Sequence, residues 1–386
     1  MAASEELGIK RVHSFHFATT NPARSHHYYT EQMGWHVLAQ SSDLLEETTG
    51  QSSVVYGIGD IQWAVSTPLT DSCRAARYLK RHPAGVMSVS LEVEDIDATW
   101  RFLEERGATP IYQINTTTNS AGGFFKHFSI VTPIGDVTLR FVQTHKWDTF
   151  APGFINHSQP FTQRSDYEYT KIDHITCNAL SMAPVQLWFE HVLGFEECWS
   201  IKFHTDDLKT ESTSGTGLKS VVMWDPKSGL KIPINEPLEP YFKEGQINQF
   251  IEDNCGGGVQ HVALEVDDIM NASKHLKGNG VQFLDTPDVY YTPAADRLAD
   301  VGVDVNAIGH QLEDLKKYGL LIDGSPINKY MLQVFFKDAA NFHDDHDAGP
   351  FFFEIIERQG DEGFGGGNFR ALFEAIERSQ TDEVSP

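Results

Sequence analysis

"GVMSVSLEVEDI" at 85–96 and "GVQHVALEVDDI" at 258–269 are nearly the same twelve residues, once in each half of the chain. They differ at one chemically loaded position, where Ser88 of the first copy is answered by His261 of the second. Both are short, apolar and β-branched, as buried strands are. Each runs into Asp-Ile and then a helical stretch, "DATWRFLEERGA" or "MNASKHLKGNGV", with the acidic residue placed to cap the helix. Each helix is expected to stop at a glycine and lead into another strand, "TPIYQI" or "VQFLDT".

The likeness extends outward from this phrase. "RVHSFHFATTNPARSHHYYTEQMGW" aligns with "KIDHITCNALSMAPVQLWFEHVLGF" about 160 residues later, setting Ser14 on His174, Tyr29 on Phe189 and Gly34 on Gly194. "GDVTLRF" (135–141) aligns with "GPFFFEI" (349–355), setting Arg140 on Glu354. Each half therefore reads as two βαβββ units. The prediction is an α+β fold of four βαβββ modules, paired into two barrel-like domains, with a C-terminal helix. The polar, proline-containing stretch 151–167 marks the boundary, giving domains 1–155 and 165–386.

Composition narrows the function. The 386 residues carry a formal charge of −24, which argues against nucleic acid or an anionic membrane as partner. No apolar run has the length of a membrane span. The first residues show no secretory pattern, so a cytoplasmic location is expected. Cys73, Cys177, Cys198 and Cys255 are scattered, with no CxxC spacing for a zinc ribbon or redox pair.

At three matched positions the first half has Ser14, Ser88 and Arg140, and the second has His174, His261 and Glu354. Two imidazoles and one carboxylate form the facial set of a non-haem Fe(II) oxygenase, with coordination positions left open. A glutamate inside "FFFEII" needs a cation, a hydrogen-bond network or a raised pKa to be tolerated there. Strict alternation puts Gln260 on the face opposite His261, so a place in a shared pocket needs a twist or bend. "NFHDDHD" at 341–347 offers His343 and His346 among aspartates, but in a polar loop such a run reads as solvated.

The segments "DHITCN", "KIPINEP", "GGGVQHVALEVDDI", "YMLQVF", "FFFEIIERQG" and "GFGGGNFRALFEAIERSQ" resemble, in order, the 4-hydroxyphenylpyruvate dioxygenases of the vicinal oxygen chelate superfamily. The resemblance covers nearly all of 170–380 and is looser in the first half. It implies two vicinal-oxygen-chelate-type domains and one Fe(II) per chain on His174, His261 and Glu354, with O2 as co-substrate. It implies a pocket with Ser220, Pro233, Asn235, Gln246, Gln260 and Gln333 as its polar wall. Phe335, Phe352, Phe364 and Phe369 would be its aromatic wall, with Asn368 just before the last helix.

The implied reaction takes an aromatic 2-oxo acid, 4-hydroxyphenylpyruvate, with O2 to homogentisate and CO2 in tyrosine catabolism, by a homo-oligomeric enzyme. Hydroxymandelate synthase shares the ligand set and oxidises the benzylic carbon instead. A non-catalytic keto-acid-binding paralogue is the reading from another class. Relative to the family, the stretch from Gln333 to Glu354 is long, and a larger surface loop is expected there. In "NFRALFEAIERSQ", Phe369, Leu372, Phe373 and Ile376 make an apolar stripe with Asn368 as N-cap. The glycines before it suit a hinge that closes the helix over the iron.

Overall fold

The computed structural model describes residues 3–157, 167–204, 217–238 and 245–368. In the first half, β1 (Ile9–Ala18), α1 (Pro22–His27), β2 (His36–Ser41), α2 (Asp43–Thr49), β3 (Gln51–Ile58) and β4 (Ile61–Pro68) form one module. After α3 (Arg74–Leu79) come β5 (Gly85–Val93), α4 (Ile96–Glu105), β6 (Pro110–Thr118), β7 (Phe124–Val131) and β8 (Thr138–His145), the second module. β9 (Phe154–Asn156) then adds an edge strand to β2.

The second half repeats the plan. β10 (Tyr169–Asn178), α5 (Met182–Trp188), β11 (Glu196–His204), β12 (Gly217–Trp224) and β13 (Lys231–Pro237) make the third module. α6 (Gln246–Asp253) precedes β14 (Gly258–Val266) and α7 (Ile269–Gly278). Then follow α8 (Ala294–Asp300), α9 (Leu312–Tyr318), β15 (Leu321–Ser325), β16 (Lys329–Phe335), α10 (Ala339–His343) and β17 (Phe352–Gln359).

The two sheets run β6-β7-β8-β5-β1-β4-β3-β2-β9 and β15-β16-β17-β14-β10-β13-β12-β11. Apart from β9 the order is the same, so the four-module α+β reading holds. Local chemistry explains why the matched phrases fold alike. Asp95 caps α4 by accepting from the backbone N–H of Asp97 and Ala98, and Asp268 caps α7 by accepting from Asn271.

Two expectations need correction. "VQFLDT" is not a strand; only Phe283 pairs, in an isolated bridge with Phe336, and α8 and α9 fill the space before β15. The long stretch before Glu354 is more than a surface loop. It folds into α10 and docks on the first half, where Asp345 pairs with Arg24 and the Ala84 N–H donates to Asp347 O. Phe342 lies edge-on to Tyr28, so an apolar ring and an ion pair fasten a segment whose charges suggested solvation. The C-terminal helix begins at Gly366, so Asn368 sits in its first turn and not at its N-cap; the rest of the helix, with Phe369, lies outside the described residues.

One continuous core spans both halves. On β17 alternation divides "FFFE" between two environments: Phe351 and Phe353 pack on Trp63 at 5.4 and 5.1 Å, while Phe352 and Glu354 face the second sheet's interior. At the seam the halves meet by matched residues. A Cβ on Gly135 would lie 2.1 Å from Gly257 O, and one on Gly349 would lie 2.1 Å from Ala84 O. Gly135 corresponds to Gly349 and Ala84 to Gly257, so the two contacts are related by a pseudo-two-fold axis. Both glycines also hold positive φ, +52° and +80°.

Gly135→Ala and Gly349→Ala are each expected to cost about 2 kcal/mol or more, as left-handed strain adds to the backbone clash. Gly107→Ala is the control, with φ +78° but nothing within 4 Å of its Cβ. Thermal unfolding midpoints of the three variants check this: the seam pair should fall clearly further than the control.

Candidate metal centre

β10 and β14 pair antiparallel with Thr176 opposite His261 and His174 opposite Ala263. β17 joins β14 in parallel with Ala263 opposite Glu354. This register brings His174, His261 and Glu354 together: one donor atom from each lies within 4.8 Å of the others. Both His174 Nε2 and His261 Nε2 stand 3.3 Å from Glu354 Oε2. All three side chains are buried, with exposures of 6, 4 and 2%. In the first half the same register sets Ser90 opposite Arg140 and His16 opposite Ser88, so the sequence alignment and the strand pairing agree.

Each imidazole is oriented from behind. His174 Nδ1–H donates to Asp173 Oδ1 at 2.7 Å, and Asp173 receives Arg358 Nε and Nη2 at 2.6 and 2.8 Å. His261 Nδ1–H donates to Gln260 Oε1 at 3.1 Å. Both rings therefore turn Nε2 toward Glu354, the arrangement seen where histidines bind metals through that nitrogen. Gln260 reaches its place through a bulge. The pairing steps from Thr176–His261 to Cys177–Val259, leaving Gln260 as the extra residue and turning its side chain into the cavity beside His261.

The charges fit a divalent cation. Burial pulls the His174 imidazole down, but Glu354 and Asp173 outweigh it and lift it to about 9. Burial, helped by the His174 charge, lowers His261 against the pull of Glu354. Burial would raise Glu354, yet the two imidazoles hold it below the usual carboxylate range. Burial is likewise overcome at Asp173, where Arg358 and His174 hold the carboxyl well below its ordinary value. Two imidazole nitrogens and one ionised oxygen, converging in a buried place, are the donors that first-row divalent metals take. A bound cation would relieve the carboxylate that His174 now neutralises with a proton.

Two cavities meet at this point. A small one of about 20 Å³ touches all three residues of the triad and is walled by Ser220, Pro233, Gln333, Phe364, Thr176 and Trp199, among others. A larger one, about 270 Å³, is lined by Gln246, Gln260, Phe335 and Phe352, with Asn341 and Asp338 at its edge. Asn235 and His261 border both. Phe352 stacks on His261 at 4.9 Å, and Phe335 stands edge-on to Phe352. Asn368 lines neither cavity; it is buried, accepts from Tyr290 Oη at 2.5 Å and leaves its Nδ2 without a partner.

Sequence reasoning missed the Asp173–Arg358 pair. Its signals were an aspartate directly before the ligand-type histidine in "DHITCN" and an arginine four residues after Glu354. His343 and His346 join no metal-type cluster: among the described residues the one such group is the triad.

The apparent affinity for a divalent metal is expected to rise roughly tenfold per pH unit from pH 6 to about 9, then level off. His174 must give up its proton to coordinate, whereas His261 and Glu354 are already in their binding forms. Titration calorimetry in two buffers at pH 7 should count about one proton released per metal. Asp173→Asn should weaken metal binding about 10–100-fold.

The Glyoxalase/Bleomycin resistance protein/Dioxygenase superfamily profile matches residues 11–136 and 171–302. A 4-hydroxyphenylpyruvate dioxygenase of Dictyostelium discoideum is 33% identical over 372 residues, 94% of this chain and 96% of that protein. The enzyme of that name from Caenorhabditis elegans is 34% identical, covering 82% of this chain and 78% of its own. Among solved structures, a triple mutant of 4-hydroxymandelate synthase from Streptomyces coelicolor superposes with a TM-score of 0.77 over 97% of this chain and 99% of its own, at 22% identity. That last likeness shows the fold alone. No helix among the described residues is long and apolar enough to cross a membrane.

Proposed function

The chain belongs to the 4-hydroxyphenylpyruvate dioxygenase family, and from that membership we propose that it converts 4-hydroxyphenylpyruvate and O2 to homogentisate and CO2. The observation that carries the reading is the convergence of His174, His261 and Glu354 on the wall of an aromatic-lined cavity. These three residues would hold one Fe(II), and residues 165–386 would be the working domain, with 1–155 its metal-free partner. When bound, Fe(II) supplies the activation of O2, and the substrate's own 2-oxo acid group supplies the reducing electrons.

The chain's residues do the rest. Asp173 and Arg358 hold the His174 ring in place, and Gln260 holds His261. Trp199, Phe364 and Val222 keep water from the triad's side of the site. Phe335 and Phe352 offer two perpendicular ring faces, 6.2 Å between centroids, against which an aromatic ring can seat. Asn235, Gln246 and Gln333 present uncharged donors and acceptors for oxygen-bearing groups. Ser220 and Pro233 close the β12–β13 wall, with Ser220 opposite Asn235 in the strand register. A cytoplasmic location, homo-oligomeric assembly and a role in tyrosine catabolism go with this reading.

Purified, Fe(II)-loaded protein is expected to take up O2 with the keto acid and give homogentisate as its main product, identified by chromatography and NMR. No O2 uptake would favour a keto-acid-binding paralogue, and hydroxymandelate as the main product would favour benzylic oxidation. His261→Ala or Glu354→Ala should lose most bound iron by elemental analysis while the protein stays folded. Phe335→Leu should release the ring from one wall and divert part of the product to the benzylic alcohol.

A further inference from the structure

Another cavity lies in the first half, at about 620 Å³, within the range of small-molecule sites. Its walls correspond by register to those of the cavity beside the triad. Met87 is the bulged residue of β5, as Gln260 is of β14. Ser129 stands opposite Arg140, as Phe335 stands opposite Glu354. α3 precedes β5 over one cavity, as α6 precedes β14 over the other. The first-half cavity is thus the repeat's counterpart of the proposed substrate site, with different chemistry on the same frame.

That chemistry is cationic. Arg74, Arg77, Lys80 and Arg81 line it against a single acid, Asp136, in a chain of formal charge −24. Asp136 is already engaged by Arg81 and His82, both at 2.9 Å. Behind the wall stands Arg140, at the register position of Glu354. Its Nε is sealed from solvent and has no hydrogen-bond partner, and its guanidinium lies 5.8 Å from the Phe125 ring. Arg74 reaches inward to Thr138 Oγ1 at 2.5 Å and Met87 O at 3.2 Å, neutral acceptors that leave its charge unbalanced.

The surroundings register the same excess charge. Burial and then Arg140 press His13 and His127 down to about 3 and His16 well below its usual value. Arg74 and Arg140 are part-buried, and a guanidinium drawn out of water without a carboxylate is stabilised when something negative is supplied. Met87, Ile111, Tyr78 and Tyr112 give the same cavity an apolar and aromatic lining.

We propose that this cavity is a second binding site, for a small organic acid whose carboxylate meets Arg74, with the charge of Arg140 behind it, and whose apolar body lies against Met87, Ile111 and Tyr112. Where the second half has a triad suited to a metal cation, the first half supplies positive charge from its own side chains. The site is independent of the metal centre.

The probe is 4-fluorophenylacetate, which lacks the 2-oxo group, titrated into the full Fe(II)-loaded chain and followed by fluorine NMR. Saturable binding of one equivalent is expected, and it should persist in Glu354→Ala. It should weaken at least about tenfold in Arg74→Gln, since a charge-assisted contact is lost. The exposed rim pair Arg77→Ala with Lys80→Ala should weaken it severalfold and decides the matter if the Arg74 variant does not fold. Binding unchanged by these cavity substitutions, or abolished by Glu354→Ala, overturns the proposal. Inorganic phosphate should displace the probe only at well above equal concentration. Equal displacement would show a site for oxyanion charge alone and overturn the organic-acid assignment.

Discussion

Glu354 is a carboxylate with 2% of its surface exposed, on a strand of phenylalanines and isoleucines. Left alone it would cost several kcal/mol, and the structure around it is the set of compensations for that cost. His174 answers it with a charge, and His261 Nε2 faces it at 3.3 Å. Asp173 sustains the charge of His174, and Arg358 sustains Asp173. The chain of alternating sign ends at the Asp361 and Gly363 carbonyls, which receive Arg358 Nη1. Phe364 follows immediately and lies 5.4 Å from the His174 ring. Electrostatic balance and the closing of the site therefore rest on one guanidinium.

The division of labour between the halves comes from side chains placed on a shared backbone plan. The same strand order, the same bulge and the same register occur twice. Donor atoms for a cation fill one interior, and guanidinium and imidazole groups fill the other. The bulge matters in both: a regular strand would aim Met87 and Gln260 away from their cavities, and the extra residue turns each inward.

Much of this was legible in the sequence because repetition supplied its own control. The phrases around Ser88 and His261 fixed which positions were equivalent, and three paired differences exposed the triad. Periodicity and capping placed the strands and the helices α4 and α7. The sequence was silent where contacts are long-range. "VQFLDT" has the composition of a strand, but its place at the sheet edge goes to β15, and only Phe283 pairs. The charged stretch containing His343 reads as solvated because Arg24 and Tyr28, which hold it, lie more than 300 residues earlier. Asn368 reads as a cap from the sequence, but the helix already begins at Gly366, and Tyr290, on an insertion with no counterpart in the repeat, donates to its side-chain carbonyl.

The seam at Gly135 and Gly349 has a consequence for how such a chain can vary. Two separate identical subunits meeting this way would carry every substitution twice, once on each side of the axis. Tethering the copies removes that obligation. Gly257 and Ala84 already differ across the axis, although both meet a glycine through the same carbonyl oxygen. The backbone contact is held common while side chains are free to diverge, so one copy can acquire a new specificity without the other forfeiting its chemistry.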